Sequence, residues 1–202
     1  MVLDYGSFDW QHSLKLSPLV PLTPKGQSAF SMKMRKEIHR NLGACMTPET
    51  AHLQTLGLET LSVRYERVVK TCKELAERLT NVQGVVSVNY PGLKEHPFYN
   101  VSSRQFGEYP GAMFTFDLAS REAAFRFIDS LKLIRRATNL FDNKSLAIHP
   151  ATTIFGTFTE ELRQKMNISQ KTIRISVGLE DVNDLFEDMV QAIYLIKEVA
   201  FE

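Results

Sequence analysis

The sequence is poor in most features that announce a specialised chemistry. It has two cysteines in 202 residues, Cys45 and Cys72, too few for a disulfide scaffold and without the CxxC or Cys/His spacing of a zinc site. A structural metal is not expected. No stretch approaches the roughly 18 consecutive apolar residues of a membrane-spanning helix. The opening MVLDYGSFDW has neither the basic head nor the apolar run of a secretory leader, so the cytoplasm is the expected compartment. An excess of either charge is missing as well: 24 basic residues face 23 acidic ones, a formal net charge of +1. Neither nucleic acid nor an anionic membrane is therefore an expected partner. There is no Gly-rich phosphate loop, no GxSxG elbow and no HExxH, which removes the standard signatures of phosphate binding, serine hydrolysis and zinc proteolysis. The five histidines, His12, His39, His52, His96 and His149, lack ligand-like spacing and read as surface or loop residues rather than metal ligands.

What is present is a chain that is 44% hydrophobic, enough for a real core. Residues 1 to 45 carry six Lys/Arg against three Asp/Glu, and residues 151 to 202 carry five against nine. The ends are thus expected in different surroundings. In residues 1 to 46, Pro18, Pro21, Pro24 and Gly26 break any period, which predicts a mostly irregular arm built to lie against something else.

Regular structure is expected from Thr47, a good N-cap, with Pro48 at the first helical position, Glu49 in the first turn and an interruption at Gly57. Leu61, Tyr65, Val68, Cys72, Leu75 and Leu79 then recur at helical spacing. Cys72, inside that stripe, reads as a buried structural thiol. VVSVNY predicts a strand with Val86, Val88 and Tyr90 on one face, followed by a turn at Pro91 and Gly92. GAMFTFDL predicts a second strand showing Phe114, Phe116 and Leu118, and Ala123, Ala124, Phe127, Ile128 and Leu131 stripe a short helix. The stretches around LFDNKS and IHPATT look irregular, and Thr157 with Glu160 has the form of a capping box for the helix TEELRQKM. TIRISV turns Ile173, Ile175 and Val177 one way and Arg174 and Ser176 the other. A last helix is striped by Val182, Leu185, Met189, Ile193 and Ile196. The expected fold is an α/β sandwich, one sheet with helices on one side.

One position stands out chemically. Arg174 lies mid-strand between apolar neighbours, and a guanidinium on a rigid strand is suited to grip a carboxylate through two parallel hydrogen bonds. The plainer alternative is an arginine on a solvated strand face, paired with Glu180 or Asp181. The acidic GLEDVNDLFED reads first as a helix N-terminus enriched in acid.

Five blocks, in order, carry a more specific signal: GSFDW at 6–10, GLETLSVRYERV at 57–68, VNYPGL at 88–93, SLAIHPATTIF at 145–155 and RISVGLEDVNDLFEDMVQAI at 174–193. Together they resemble the carboxy-terminal half of the pyridoxal-phosphate-dependent enzymes of cysteine and methionine metabolism. FDW and TNLFDNKSL at 138–146 pull toward the branch that joins sulfide or a thiol to O-acetylhomoserine with loss of acetate. The resemblance implies the small C-terminal α/β sandwich domain of a fold-type-I cofactor enzyme over residues 59–202. Residues 1–58 would be the tail of its large cofactor domain. It implies that Arg174 and Ser145 bind the substrate's α-carboxylate, with Asn139, Leu146 and Phe155 near the substrate. It also implies a homo-oligomer, dimer or tetramer. The family's Schiff-base lysine, phosphate-binding glycines, ring-stacking tyrosine and pyridine-pairing aspartate belong to a block upstream of this sequence. Lys70, Lys73 and Lys144 do not substitute for that lysine, so no catalytic or cofactor-binding residue is expected in this chain, which would be inactive without its other half. Phe155 stands where many relatives have histidine, Phe141 where glycine is usual, and Leu56 where Gln or Arg is common. A more apolar rim is expected to favour a thiol over sulfide. A methionine γ-lyase, a cystathionine γ-synthase or β-lyase of the same family, and a non-catalytic binding or assembly domain are the alternatives.

Overall fold

The computed structural model describes residue 35 and residues 39–43 and 45–198. The irregular arm expected over residues 1 to 46 falls mostly outside them; one helical turn, Arg40–Leu42, is described there. The chain divides into two compact units, Met1–Leu58 and Glu59–Glu202. Helix α1 spans Pro48–Glu59, all but its last residue in the first unit. The Thr47 hydroxyl oxygen accepts the Thr50 N–H at 3.2 Å, satisfying one of the donors that every helix start leaves open. Contrary to expectation, α1 runs straight through Gly57. Glycine costs a helix about 1 kcal/mol relative to alanine but does not forbid it. The break comes at Thr60, at φ −104° and ψ 4°.

The second unit begins with α2 (Leu61–Leu79), β1 (Ser87–Asn89), α3 (Tyr99–Phe106) and β2 (Met113–Asp117). It continues through α4 (Arg121–Ser130), β3 (Arg135–Arg136), β4 (Leu146–Ile148), α5 (Glu160–Lys165), β5 (Thr172–Ser176) and α6 (Val182–Glu198). The strands form one sheet in the order β1-β2-β5-β4-β3, antiparallel except for the parallel β3–β4 pair. Phe114, Phe116, Ile173, Ile175 and Ala147 point from one face into a core closed by the stripes of α2, α4 and α6. The expected one-sided α/β sandwich is thus present. Phe116 meets Phe127 edge-on at 5.3 Å, an arrangement worth about 1 kcal/mol beyond the area it buries.

Strand alternation places the next residues on the opposite face. Register lines them up in two rows, Asn89, Thr115, Arg174 and Ile148 in one, and Met113, Ser176 and Leu146 in the other. Among the described residues of this unit, α2, α4 and α6 all pack on the other side, so this is its face without helices, and it carries Arg174.

Three local expectations are corrected, and a fourth is refined. The predicted face of Val86, Val88 and Tyr90 starts too early: Val86 is 65% exposed and Val85 packs on the core instead, because the strand begins only at Ser87. The cap of α5 is Thr159, whose side chain accepts from the Leu162 N–H, since Thr157 still belongs to the preceding turn. The stretches around LFDNKS and IHPATT supply β4 at their junction, and β3 precedes them. His149, read as a surface or loop residue, is in a loop but buried, its ring nitrogens 2.8 Å from the Thr152 hydroxyl and the Gln170 carbonyl oxygen.

Cys72 is fully buried in the stripe of α2, and burial pushes its thiol up to about 12. Only the thiolate is nucleophilic, so a thiol reagent near pH 8 is expected to modify exposed Cys45 and to reach Cys72 only on unfolding, as counted by mass spectrometry. The unfolded chain gives up the Cys72 proton first, near its ordinary value of about 8.5. Stability therefore falls as pH rises from there toward the folded value. A native chain doubly labelled at the same rate would contradict the burial.

Candidate functional site

Arg174 sits at the centre of β5, the middle strand, between Ile173 and Ile175, both wholly buried on the helix side. Alternation therefore sends its side chain to the face without helices, directly opposite Thr115 on β2 and Ile148 on β4. It is partly buried, and that burial draws the guanidinium below its ordinary value. An arginine still keeps its charge there. Among the described residues Arg174 makes no hydrogen bond or ion pair. A partly desolvated cation without a partner is a ready receptor for an anion.

The two carboxylates that could have neutralised it are engaged elsewhere. Glu180 accepts both the Ser145 N–H and the Ser145 hydroxyl, each at 2.8 Å, while Asp181 accepts the Asn183 N–H. Ser145 is fully buried. Its hydroxyl oxygen also accepts the Gly178 N–H at 2.8 Å, and its carbonyl accepts the Arg135 N–H at 2.9 Å. Both of its donors and one acceptance by each of its oxygens thus join the start of β4, strand β3 and the exit of β5. The structure places Ser145 as the joint that sets β4 beside β5 in a fixed register.

Leu146, the next residue, lies opposite Ser176 and on the face of Arg174. Asn139 closes the loop before it: its Oδ1 accepts the Leu140 N–H at 2.9 Å and its Nδ2 donates to Asp142 at 3.2 Å. The loop is hooked to β5 by the Phe141 N–H, which donates to the Ser176 hydroxyl at 3.3 Å. Ser145, Leu146 and the Asn139 loop are therefore assembled around the β4–β5 pair. Phe155 is held apart in the turn beyond β4, edge-on to Phe158 at 5.4 Å, with its carbonyl accepting from Arg163.

Three participants were not legible as such. Glu180 was read only as a partner for Arg174, and its real partner lies 35 residues away, beyond any local pattern. Thr115 is brought opposite Arg174 by register alone. Phe141, noted as standing where glycine is usual, adopts φ 60°, so a left-handed position was the signal that could have marked it.

Pyridoxal phosphate asks for a lysine amine presented inside a cavity. Every described lysine side chain is exposed, Lys73 and Lys144 included, and the groove beside Arg174 is lined by none. The described residues thus offer an arginine with the chemistry to meet an anion, and no lysine placed to hold the cofactor ring. Among them no cluster of His, Cys, Asp or Glu is arranged to hold a metal ion, and no described helix is long and apolar enough to cross a membrane.

The model of the Cys/Met metabolism PLP-dependent enzyme family matches residues 23–194. O-acetyl-L-homoserine sulfhydrylase 1 of Thermus thermophilus is 37% identical over 95% of this chain and 48% of its own length. L-methionine gamma-lyase of Pseudomonas deceptionensis is 41% identical over 74% of this chain and 38% of its own. Among solved structures, O-acetylhomoserine sulfhydrylase of Wolinella succinogenes superposes with a TM-score of 0.71 at 44% identity, over 92% of this chain and 49% of that one. A putative O-acetylhomoserine (thiol)-lyase of Campylobacter jejuni, which carries N'-pyridoxyl-lysine-5'-monophosphate, gives 0.77 at 37% identity, over 82% of this chain and 39% of that one. The chain spans about half the length of the sulfhydrylase relatives it matches. The family match over most of the chain, with relatives and solved structures at this identity, shows that the chain belongs to the pyridoxal-phosphate-dependent enzymes of cysteine and methionine metabolism.

Proposed function

We propose that this chain supplies the substrate-carboxylate half of an O-acetylhomoserine sulfhydrylase, which replaces acetate by sulfide or a thiol to give homocysteine or methionine. One observation carries the reading: a partly desolvated arginine at the centre of the sheet, on the face without helices, with no partner among the described residues. Its fork matches a carboxylate in two parallel bonds. Ser145 acts as a positioning residue through Glu180 and Gly178, and Asn139 and Leu146 border the approach. Residues 59–202 form the small domain, and residues 1–58 belong with the large domain that provides pyridoxal phosphate and its lysine. The assembly is a cytoplasmic homo-oligomer.

Native mass spectrometry of the purified protein, with whatever chain accompanies it, reads mass, partner and cofactor together. The expected result is an oligomer loaded with pyridoxal phosphate that releases acetate and homocysteine from O-acetylhomoserine and sulfide. A cofactor-free 23.0 kDa species without that activity would instead favour an assembly domain. The 41% identity to a methionine gamma-lyase supports a second reading, elimination, in which the γ-substituent leaves as a thiol and water releases a 2-oxo acid and ammonia. The apolar rim at Phe155 is tested separately. Phe155→His is expected to move the relative rates with a thiol and with sulfide toward sulfide by a few-fold, and unchanged relative rates would remove Phe155 from the site.

A further inference from the structure

A groove of about 400 Å³ is lined by two sheet neighbours of Arg174, though not by Arg174 itself. Thr115, the cross-strand partner of Arg174, and Ser176, two residues along β5, both line it. Its other walls include Asn89, Met113, Leu140 and Phe141. No charged side chain is among the lining residues. Two residues along a strand advance about 7 Å, a length comparable to an extended homoserine ester from its carboxylate to its acyl carbon. With the carboxylate on Arg174, an ester extended along β5 toward Ser176 is long enough for its acyl end to enter this groove.

Phe141 forms the wall at a conformational cost. It adopts φ 60°, the left-handed region that a bulky side chain rarely enters and that tends to mark functional positions. Two contacts hold it there: its ring stacks on Tyr65 at 5.3 Å with planes 20° apart, and its N–H donates to Ser176. Tyr65 is itself pinned by its hydroxyl, which donates to the Tyr109 carbonyl at 2.9 Å. The ring is therefore a fixed wall rather than a loose loop side chain.

We propose that this groove seats the acyl group of the homoserine ester, and that Phe141 and Leu140 select a small neutral acyl group over one ending in a carboxylate. This deepens the sulfhydrylase reading and rests on it. An acetyl group meets apolar and neutral polar walls. A succinyl group would bring a second carboxylate against apolar walls with no cation to pair it, so the charge gives up part of its water and gains no partner in exchange.

The test compares kcat/KM for O-acetylhomoserine and O-succinylhomoserine, with sulfide, in the cofactor-loaded protein. The wild type is expected to favour the acetyl ester by roughly tenfold to hundredfold. Leu140→Arg places a cation at an exposed wall position and is expected to cut that preference about tenfold or more. Phe141→Gly adopts the same backbone without strain and is expected to relax the preference by widening the groove, while Phe141→Tyr, which keeps the stacked ring, retains it. A wild type that takes both esters equally, or a ratio unmoved in folded Leu140→Arg and Phe141→Gly, overturns the inference and leaves the sulfhydrylase reading standing. A loaded wild type that turns over neither ester overturns that reading, and this inference with it.

Discussion

Arg174→Ala in the cofactor-loaded protein is expected to lower kcat/KM for the amino-acid substrate by about 30-fold to 1,000-fold while leaving the fold intact. Each hydrogen bond to a charged group contributes about 1.5–3 kcal/mol. Losing a two-bond grip therefore removes about 2–4 kcal/mol once water refills the place, at about 1.4 kcal/mol per tenfold change. Arg174→Lys keeps a charge but not the planar fork and is expected to recover only part of that loss. Stability is expected to stay within about 0.5 kcal/mol of wild type, because the guanidinium has no partner to forfeit among the described residues and its burial is already a cost. Steady-state kinetics beside a thermal melt separates the two effects. A variant with unaltered kcat/KM would take Arg174 out of the site, and one that fails to fold would make it a structural residue.

Gly178→Ala is expected to be the costliest small change in the second unit. A Cβ there would stand 2.5 Å from the Lys144 carbonyl carbon and 2.5 Å from the Ser145 nitrogen. Both are backbone atoms and cannot swing aside as a side-chain tip can. It would also meet Glu180 Oε2 at 2.5 Å, the oxygen that receives the Ser145 hydroxyl. The variant must therefore spread the strands or break the joint, at about 2–4 kcal/mol, which corresponds to roughly 5–15 °C in Tm for a chain of this size. Gly57→Ala is the matched control. It lies inside α1 with nothing within 4 Å of an added Cβ, and is expected to raise helix stability by about 0.5–1 kcal/mol. Equal Tm values for Gly178→Ala and wild type would show that the segments separate more readily than the packing indicates.

The elements that were legible in the sequence are those whose period is set locally. The stripe of α2 and the alternation of Phe114 with Phe116, and of Ile173 with Ile175, are read directly, because a helix or strand with one buried face must repeat at its own geometric period. Strands β3 and β4 left no such trace. β4 is three residues, all buried, and β3 is two, both exposed; neither is long enough to alternate. Their strand character comes from pairing with each other and with β5. Helix ends were misplaced at Gly57 and Thr157 for a related reason. A single glycine or threonine shifts local preference by about 1 kcal/mol, and that is small beside what packing contributes.

The site divides along the same line. By itself the sequence determined that Arg174 stands on a strand with its apolar neighbours turned the other way, and that the chain carries the ordered blocks of its family. It could not determine whether that arginine was already neutralised. Glu180, six residues on, was a plausible partner by proximity along the chain, and only the tertiary structure committed it to Ser145, 35 positions upstream. The physical reason is that side-chain direction within one element follows from backbone geometry. The partner a charge finds across strands follows from register, and register is settled by contacts between residues far apart in the chain.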